Sequence, residues 1–324
     1  MTPSTYTGRV IRSQAGFYTV QLENPSARPR EWITCRLRGR FKQGSKSEDL
    51  VVIGDRVEIV LQSDGTGVIE KIEPRGKVLE RSAPAARGEY RQILLANADQ
   101  VLLVFACAHP NPSLRMLDRF LVIAEKQQIE PLVIANKVDL VGLEKAKEIF
   151  RMYPALGYRV IYTSAVNGLG IEELRLALHG KISALAGPSG VGKSSLLGAV
   201  QPGLELAVRR VSGATSKGRH TTTVRELFPL EGGGYVADMP GLRSLALWDT
   251  EPEELDGYFP ELRPLVKDCQ FSDCTHTTEP GCAVISAVNR GDIFPERYIS
   301  YLKLRFGDDV EPANLRYDNI GDHL

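Results

Sequence analysis

The sequence predicts an α/β protein: a mostly parallel sheet covered by helices, a small β-barrel in front of it, and a small, mostly helical metal-binding domain behind. Three observations carry that expectation. Five short β-rich segments crowd the first 75 residues, apolar strands alternate with helical stretches from residue 91 to about 245, and three cysteines and a histidine fall within 14 residues near the end. With 324 residues, 43% hydrophobic and 25% charged, the chain can form two or three units that each bury a core.

In chain order, Tyr6–Arg12, Phe17–Leu22, Trp32–Leu37, Arg56–Leu61 and Val68–Ile72 read as strands. Ala15-Gly16, Asn24-Pro25, Gly54-Asp55 and Asp64-Gly65 supply the reversals between them. Five strands in residues 1–75 suggest a barrel of the oligonucleotide-binding (OB) type. Arg28, Arg30, Arg36, Arg38, Arg40 and Lys42 cluster there with Trp32 and Phe41 interleaved and one acid, Glu31. Cations for phosphates and aromatic faces for bases suit a nucleic-acid groove, and a charged strand edge that resists aggregation is the plainer alternative. Residues 76–90 lack periodicity and read as a linker.

Residues 91–245 change character. Gln100–Ala106, Pro131–Ala135, Arg159–Thr163, Ile182–Ala186 and Tyr235–Ala237 are buried-strand segments, with Leu114–Gln127, Leu143–Met152, Ile171–Leu178 and Lys193–Val200 as the helices between. Gly187-Pro188-Ser189-Gly190-Val191-Gly192-Lys193-Ser194 matches G-x-x-x-x-G-K-[ST], with Ser195 next, between a strand and a helix. Its glycines let backbone N–H groups turn inward around phosphate oxygens, and the helix N-terminus adds its positive end. Lys193 is expected on the β and γ phosphates and Ser194 on Mg²⁺.

A phosphate loop alone does not choose between ATP and GTP. Asn136-Lys137-Val138-Asp139 closes a strand on the edge where open α/β sheets bind ligands. The Asp139 carboxylate can accept from both N1–H and the exocyclic amine of guanine, donors that adenine does not offer in that arrangement. Asn136 would bind the other base edge or brace the loop, the stem of Lys137 can cover the ring, and Thr163-Ser164-Ala165 can donate backbone N–H to the base carbonyl. Downstream, Asp238 can hold Mg²⁺ through water, Gly241 can offer its N–H to the γ-phosphate, and Thr222 can complete the Mg²⁺ shell.

After Trp248 the chain turns acidic: residues 246–324 hold 7 Lys/Arg against 16 Asp/Glu, although the whole chain balances at 40 of each. An anionic partner is thus expected on the first two-thirds. Cys269, Cys274, His276 and Cys282 supply three thiolates and an imidazole, a set that suits one structural, tetrahedral Zn²⁺. Cys35 and Cys107 fall in apolar strands and are expected to pack in cores. No apolar run reaches the roughly 18–20 residues of a membrane span, and no secretory signal is visible, so a cytoplasmic protein is expected. A monomer is expected as well.

The two base loops precede the phosphate loop, which precedes the threonine and the aspartate. With that order, a barrel in front and a cysteine–histidine cluster behind, the full chain resembles the circularly permuted GTPases of the small-ribosomal-subunit biogenesis family (RsgA-type). The resemblance implies GTP hydrolysis stimulated by the 30S subunit, contact with its rRNA, and a role in late maturation of that particle. Leu242 stands where many GTPases place a water-orienting Gln. His220, beside Thr222, is the nearest polar substitute, and the resemblance points to it too; a plain loop or RNA contact is the other reading. The rival function is a non-catalytic, RNA-binding assembly checkpoint that uses nucleotide as a latch.

Overall fold

A computed structural model describes residues 5–23, 32–39, 50–85, 88–208, 225–238 and 250–308. At the N-terminus, β1 (Thr5–Gln14), β2 (Phe17–Leu22), β3 (Trp32–Leu37), β5 (Gly67–Ile72) and β4 (Arg56–Leu61) pair in that order, and β4 returns to β1 to close a barrel. Only β3 and β5 run parallel, giving the OB-like barrel expected. Alternation sets the faces: Ile33, Cys35 and Leu37 point into the barrel, while Trp32, Thr34 and Arg36 point out.

A bulge in β1 joins this barrel to the rest of the chain. The β1–β2 register slips between Val10 and Arg12, so two successive apolar side chains can both be buried. Val10 enters the barrel core, and Ile11 enters a second core with Ile53, Leu79, Leu95 and Leu227. Beyond the bulge, β1 pairs with β12 (Arg225–Glu226), and the Leu227 N–H donates to the Ile11 carbonyl at 2.7 Å.

Residues 76–90, read as an aperiodic linker, carry regular structure. Strands β6 (Val78–Ala85) and β7 (Gly88–Ala96) form an antiparallel hairpin. A register shift between Leu79 and Glu80 interrupts the period-2 pattern, which hid the hairpin from a periodicity reading.

The central sheet runs β10 (Arg159–Tyr162), β9 (Glu130–Asn136), β8 (Gln100–Ala106), β11 (Ile182–Ala186), β14 (Tyr235–Asp238), β13 (Phe228–Pro229). All neighbours are parallel except the short β13. Leu103, Phe105, Val133 and Ala135 face the core under α1 (Leu114–Lys126), while Leu102, Val104, Leu132 and Ile134 face the one under α4 (Ile171–Leu178) and α5 (Lys193–Val200). The helix expected over Leu143–Met152 is two pieces, α2 (Leu143–Ile149) and α3 (Met152–Ala155). In one continuous helix the ring of Pro154 would meet the carbonyl of Phe150, so the chain breaks there.

The C-terminal unit holds 3₁₀ turns at Pro252–Tyr258 and Val266–Asp268, then α6 (Ala283–Arg290) and α7 (Pro295–Phe306). Its core of Leu255, Phe259, Leu262, Val284, Val288 and Tyr301 also takes in Val122 of α1. Arg297, fully buried on α7, reaches Asp118 of α1 at 2.6 Å and Glu261 at 2.6 Å. This buried triad fastens the C-terminal unit to the central domain. Among the described residues no helix is long and apolar enough to cross a membrane.

Candidate nucleotide site and metal centre

The sheet gathers the predicted nucleotide residues on one edge. Asn136 ends β9, Thr163 follows β10, Ala186 ends β11 before Gly187, and Asp238 ends β14 beside Leu185. The phosphate loop lies against β8: a Cβ on Gly187 would stand 2.1 Å from the Val104 carbonyl oxygen, so only glycine fits. Gly192, at φ +95°, caps α5, whose first turn carries Lys193, Ser194 and Ser195. Lys193 donates to the carbonyls of Gly187 and Pro188 at 2.9 and 2.7 Å, which keeps its ammonium inside the loop it would share with phosphates.

Asn136 joins the base loop to the phosphate loop. It is 1% exposed; its Nδ2 donates to the Val191 carbonyl at 2.8 Å and its Oδ1 accepts from the Thr163 hydroxyl at 3.1 Å. Of the two roles left open for Asn136, its bonds match the brace. The Gly192 backbone fits against it, since a Cβ there would lie 2.5 Å from Nδ2. Asp139 stands exposed at the mouth, and the Ser164 hydroxyl donates to its Oδ1 at 2.5 Å. One carboxylate oxygen is thereby fixed and the other remains available to a base. Ser164 in turn accepts from the N–H groups of Val166 and Asn167, which curls the segment after Ala165 around it. Lys137 adopts a left-handed backbone, and its Nζ donates to the His109 carbonyl. Pro110 packs beside Gly190, so the turn after β8 forms a third wall of the site. No side-chain pattern in the sequence marks His109, because its contribution is a backbone carbonyl.

His220, Thr222 and Gly241 lie outside the described residues, as do Arg28, Arg30, Arg40 and Lys42.

The cysteine–histidine cluster comes together at one point, with the four ligand atoms of Cys269, Cys274, His276 and Cys282 within 4.8 Å of one another. The Cys269 and Cys282 sulfurs are 4.0 Å apart, and His276 Nδ1 lies 3.6 and 3.4 Å from them. A tetrahedral centre about 2.3 Å from each sulfur and about 2.0 Å from nitrogen has edges of about 3.8 and 3.5 Å. Cys269, His276 and Cys282 therefore already stand at metal-binding spacing, with the Cys274 sulfur within 4.8 Å of all three. Glu279 builds the loop that carries His276: its carboxylate accepts the N–H groups of Thr275, Thr277 and Thr278 at 2.7, 2.9 and 3.1 Å. Burial works against that charge, but the bonds from Thr275 and Thr277 overcome it and hold the carboxyl down to about 2.

The RsgA GTPase profile matches residues 72–248, and the RsgA N-terminal domain profile matches residues 7–69. The chain belongs to the RsgA GTPase family. A relative from Gemmatimonas aurantiaca, named small ribosomal subunit biogenesis GTPase RsgA, is 47% identical over 94% of this chain and 98% of its own length. The crystal structure of YjeQ from Thermotoga maritima is 38% identical, with a TM-score of 0.75 over 94% of this chain and 98% of that one. YloQ, described as a circularly permuted GTPase, is 31% identical, with a TM-score of 0.70 over 93% of this chain and 94% of its own. The RsgA-type chain described here has the same permuted architecture, with its base loops ahead of its phosphate loop.

The outer wall of the RsgA-type barrel carries the described part of the basic cluster. Arg36 stacks over the ring of Phe17 at 4.7 Å, and Trp32 is 50% exposed on the same strand as Arg36. Arg38 is paired with Glu70. Cys35 and Cys107 are buried, as core packing requires.

Proposed function

We propose that this RsgA-type protein hydrolyses GTP during late maturation of the 30S ribosomal subunit, as a cytoplasmic monomer that the subunit stimulates and whose barrel lies on rRNA. The observation that carries the reading is the Asn136–Val191 bond, which makes one pocket of a guanine loop and a phosphate loop that occur in reversed order along the chain. Asp139, held by Ser164, reads the guanine edge. Gly187–Ser194 wrap the triphosphate with backbone N–H groups, and Lys193 exchanges its two loop carbonyls for phosphate oxygens. Ser194, Thr222 and Asp238 are the groups suited to Mg²⁺, and Gly241 to the γ-phosphate. His220 orients the attacking water, a task the aliphatic Leu242 cannot perform.

Three thiolates and an imidazole with no open position fit a structural Zn²⁺, held by Cys269, Cys274, His276 and Cys282. Phe17, Trp32 and Arg36 offer rRNA stacking faces and charge. Arg28, Arg30, Arg38, Arg40 and Lys42, close by in the sequence, are the further cations we assign to rRNA. The test is phosphate release by the purified protein with and without 30S particles across salt concentrations. The expected result is stimulation that falls steeply with salt. No release under either condition would replace hydrolysis with the nucleotide-latch reading.

A further inference from the structure

The two nitrogens of His276 have divided partners. Nδ1 faces the sulfurs of Cys269 and Cys282 at 3.6 and 3.4 Å, while Nε2 lies 3.0 Å from Asp256 Oδ2. Asp256 comes from the 3₁₀ turn Pro252–Tyr258, outside the loop that carries the four ligands. The backbone of His276 is already fixed by other groups: its carbonyl accepts from the Tyr298 hydroxyl at 2.5 Å, and the Thr275 carbonyl accepts from Tyr301 at 3.1 Å. What those bonds leave free is rotation of the imidazole about its own axis, which would turn the nitrogens away from their partners.

We propose that Asp256 is the positioning residue of the metal centre: its carboxylate holds the Nε2–H of His276 and so presents Nδ1 to the ion. This rests on the reading of the four residues as a metal site. A carboxylate on the distal nitrogen selects the tautomer and raises the basicity of the coordinating one. It also ties metal occupancy to a separate stretch of chain, since Leu255, next to Asp256, sits in the C-terminal core with Cys274 and Cys282. Metal binding thus holds residues 252–258 against the domain through Asp256.

The experiment uses the full chain loaded with Co²⁺ or Zn²⁺. Zinc affinity is measured by competition with a chromophoric chelator, and the cobalt-to-thiolate bands report the ligand set. Asp256→Ala should lower zinc affinity about 10- to 100-fold. Asp256→Asn, which keeps an acceptor oxygen, should lose less, and Glu253→Ala on the same turn should match wild type. Nitrogen-15 NMR of the zinc-loaded wild type, which needs no variant, should find the His276 proton on Nε2. Unchanged affinity in Asp256→Ala, or metal on Nε2, would overturn the assignment. Absence of cobalt–thiolate bands in the wild type would remove the metal site itself, and the proposal with it.

Discussion

Replacing Arg297 with Met tests the buried triad that mounts the C-terminal unit on α1. Arg297 is fully buried, donates to Asp118 Oδ1 at 2.6 Å and to both Glu261 oxygens at 2.6 and 3.3 Å, and stacks on Phe259 at 4.5 Å. Removing the cation leaves two buried carboxyl groups without the charge they share, although the Tyr153 hydroxyl still donates to Asp118 at 3.1 Å. Breaking such a pair from one side costs about 3–5 kcal/mol. With a urea slope of about 2 kcal/mol per molar, the midpoint should fall by about 2 M. Burial already pushes the Asp118 carboxyl up. Without Arg297 it should rise further, so the folded variant stays protonated where the unfolded chain ionises. For an acid with a raised folded pKa, stability is retained below the unfolded value and lost as pH rises. The deficit of Arg297→Met should therefore widen upward from about pH 4. Arg297→Met with Asp118→Leu and Glu261→Met should recover most of the loss, because no unpaired charge remains. A single variant within about 1 kcal/mol of wild type, flat with pH, would mean that the Asp118 and Glu261 carboxyls do not depend on Arg297 for their charge balance.

Gly192→Ala should weaken GDP binding about 10- to 100-fold by calorimetry, since its φ of +95° and the 2.5 Å approach to Asn136 leave no room for a Cβ. Glu279→Gln should lower stability at neutral pH. Because the folded carboxyl titrates near 2, below its unfolded value, the gap from wild type should be full above about pH 4.5 and close as pH falls. Leu227→Ala should cost about 2–5 kcal/mol in urea unfolding, because Leu227 is fully buried with Ile11 and Leu95 at the seam between barrel and central domain.

Local patterns carried much of this structure in the sequence. The barrel strands alternate one residue in and one out, and the central strands read as short apolar runs because both faces are covered. The phosphate loop and the cysteine cluster are contiguous, so spacing revealed them. What escaped depends on tertiary placement. The β6–β7 hairpin hid behind a bulge, and the two residues of β12 are a strand only because β1 offers them an edge. Asp118 and Arg297 are far apart in sequence, and nothing local marks a charge that will be buried. Asp256 reads as one acid in an acidic stretch until the fold brings it to His276. Lys137 bonds a backbone carbonyl, which no side-chain motif records.

If the base loop and the phosphate loop form one guanine pocket, Asp139 should set its selectivity. Titration calorimetry with GDP, ADP and xanthosine diphosphate, on wild type and on Asp139→Asn, measures that selectivity. Wild type should take GDP and reject ADP by about 10⁴-fold. In Asp139→Asn the Ser164 hydroxyl still has an oxygen to bond, so the new amide faces the base as a donor, and preference should pass from guanine to xanthine. Equal binding of GDP and ADP by wild type, or an Asp139→Asn protein that still prefers GDP, would mean that Asp139 does not read the base.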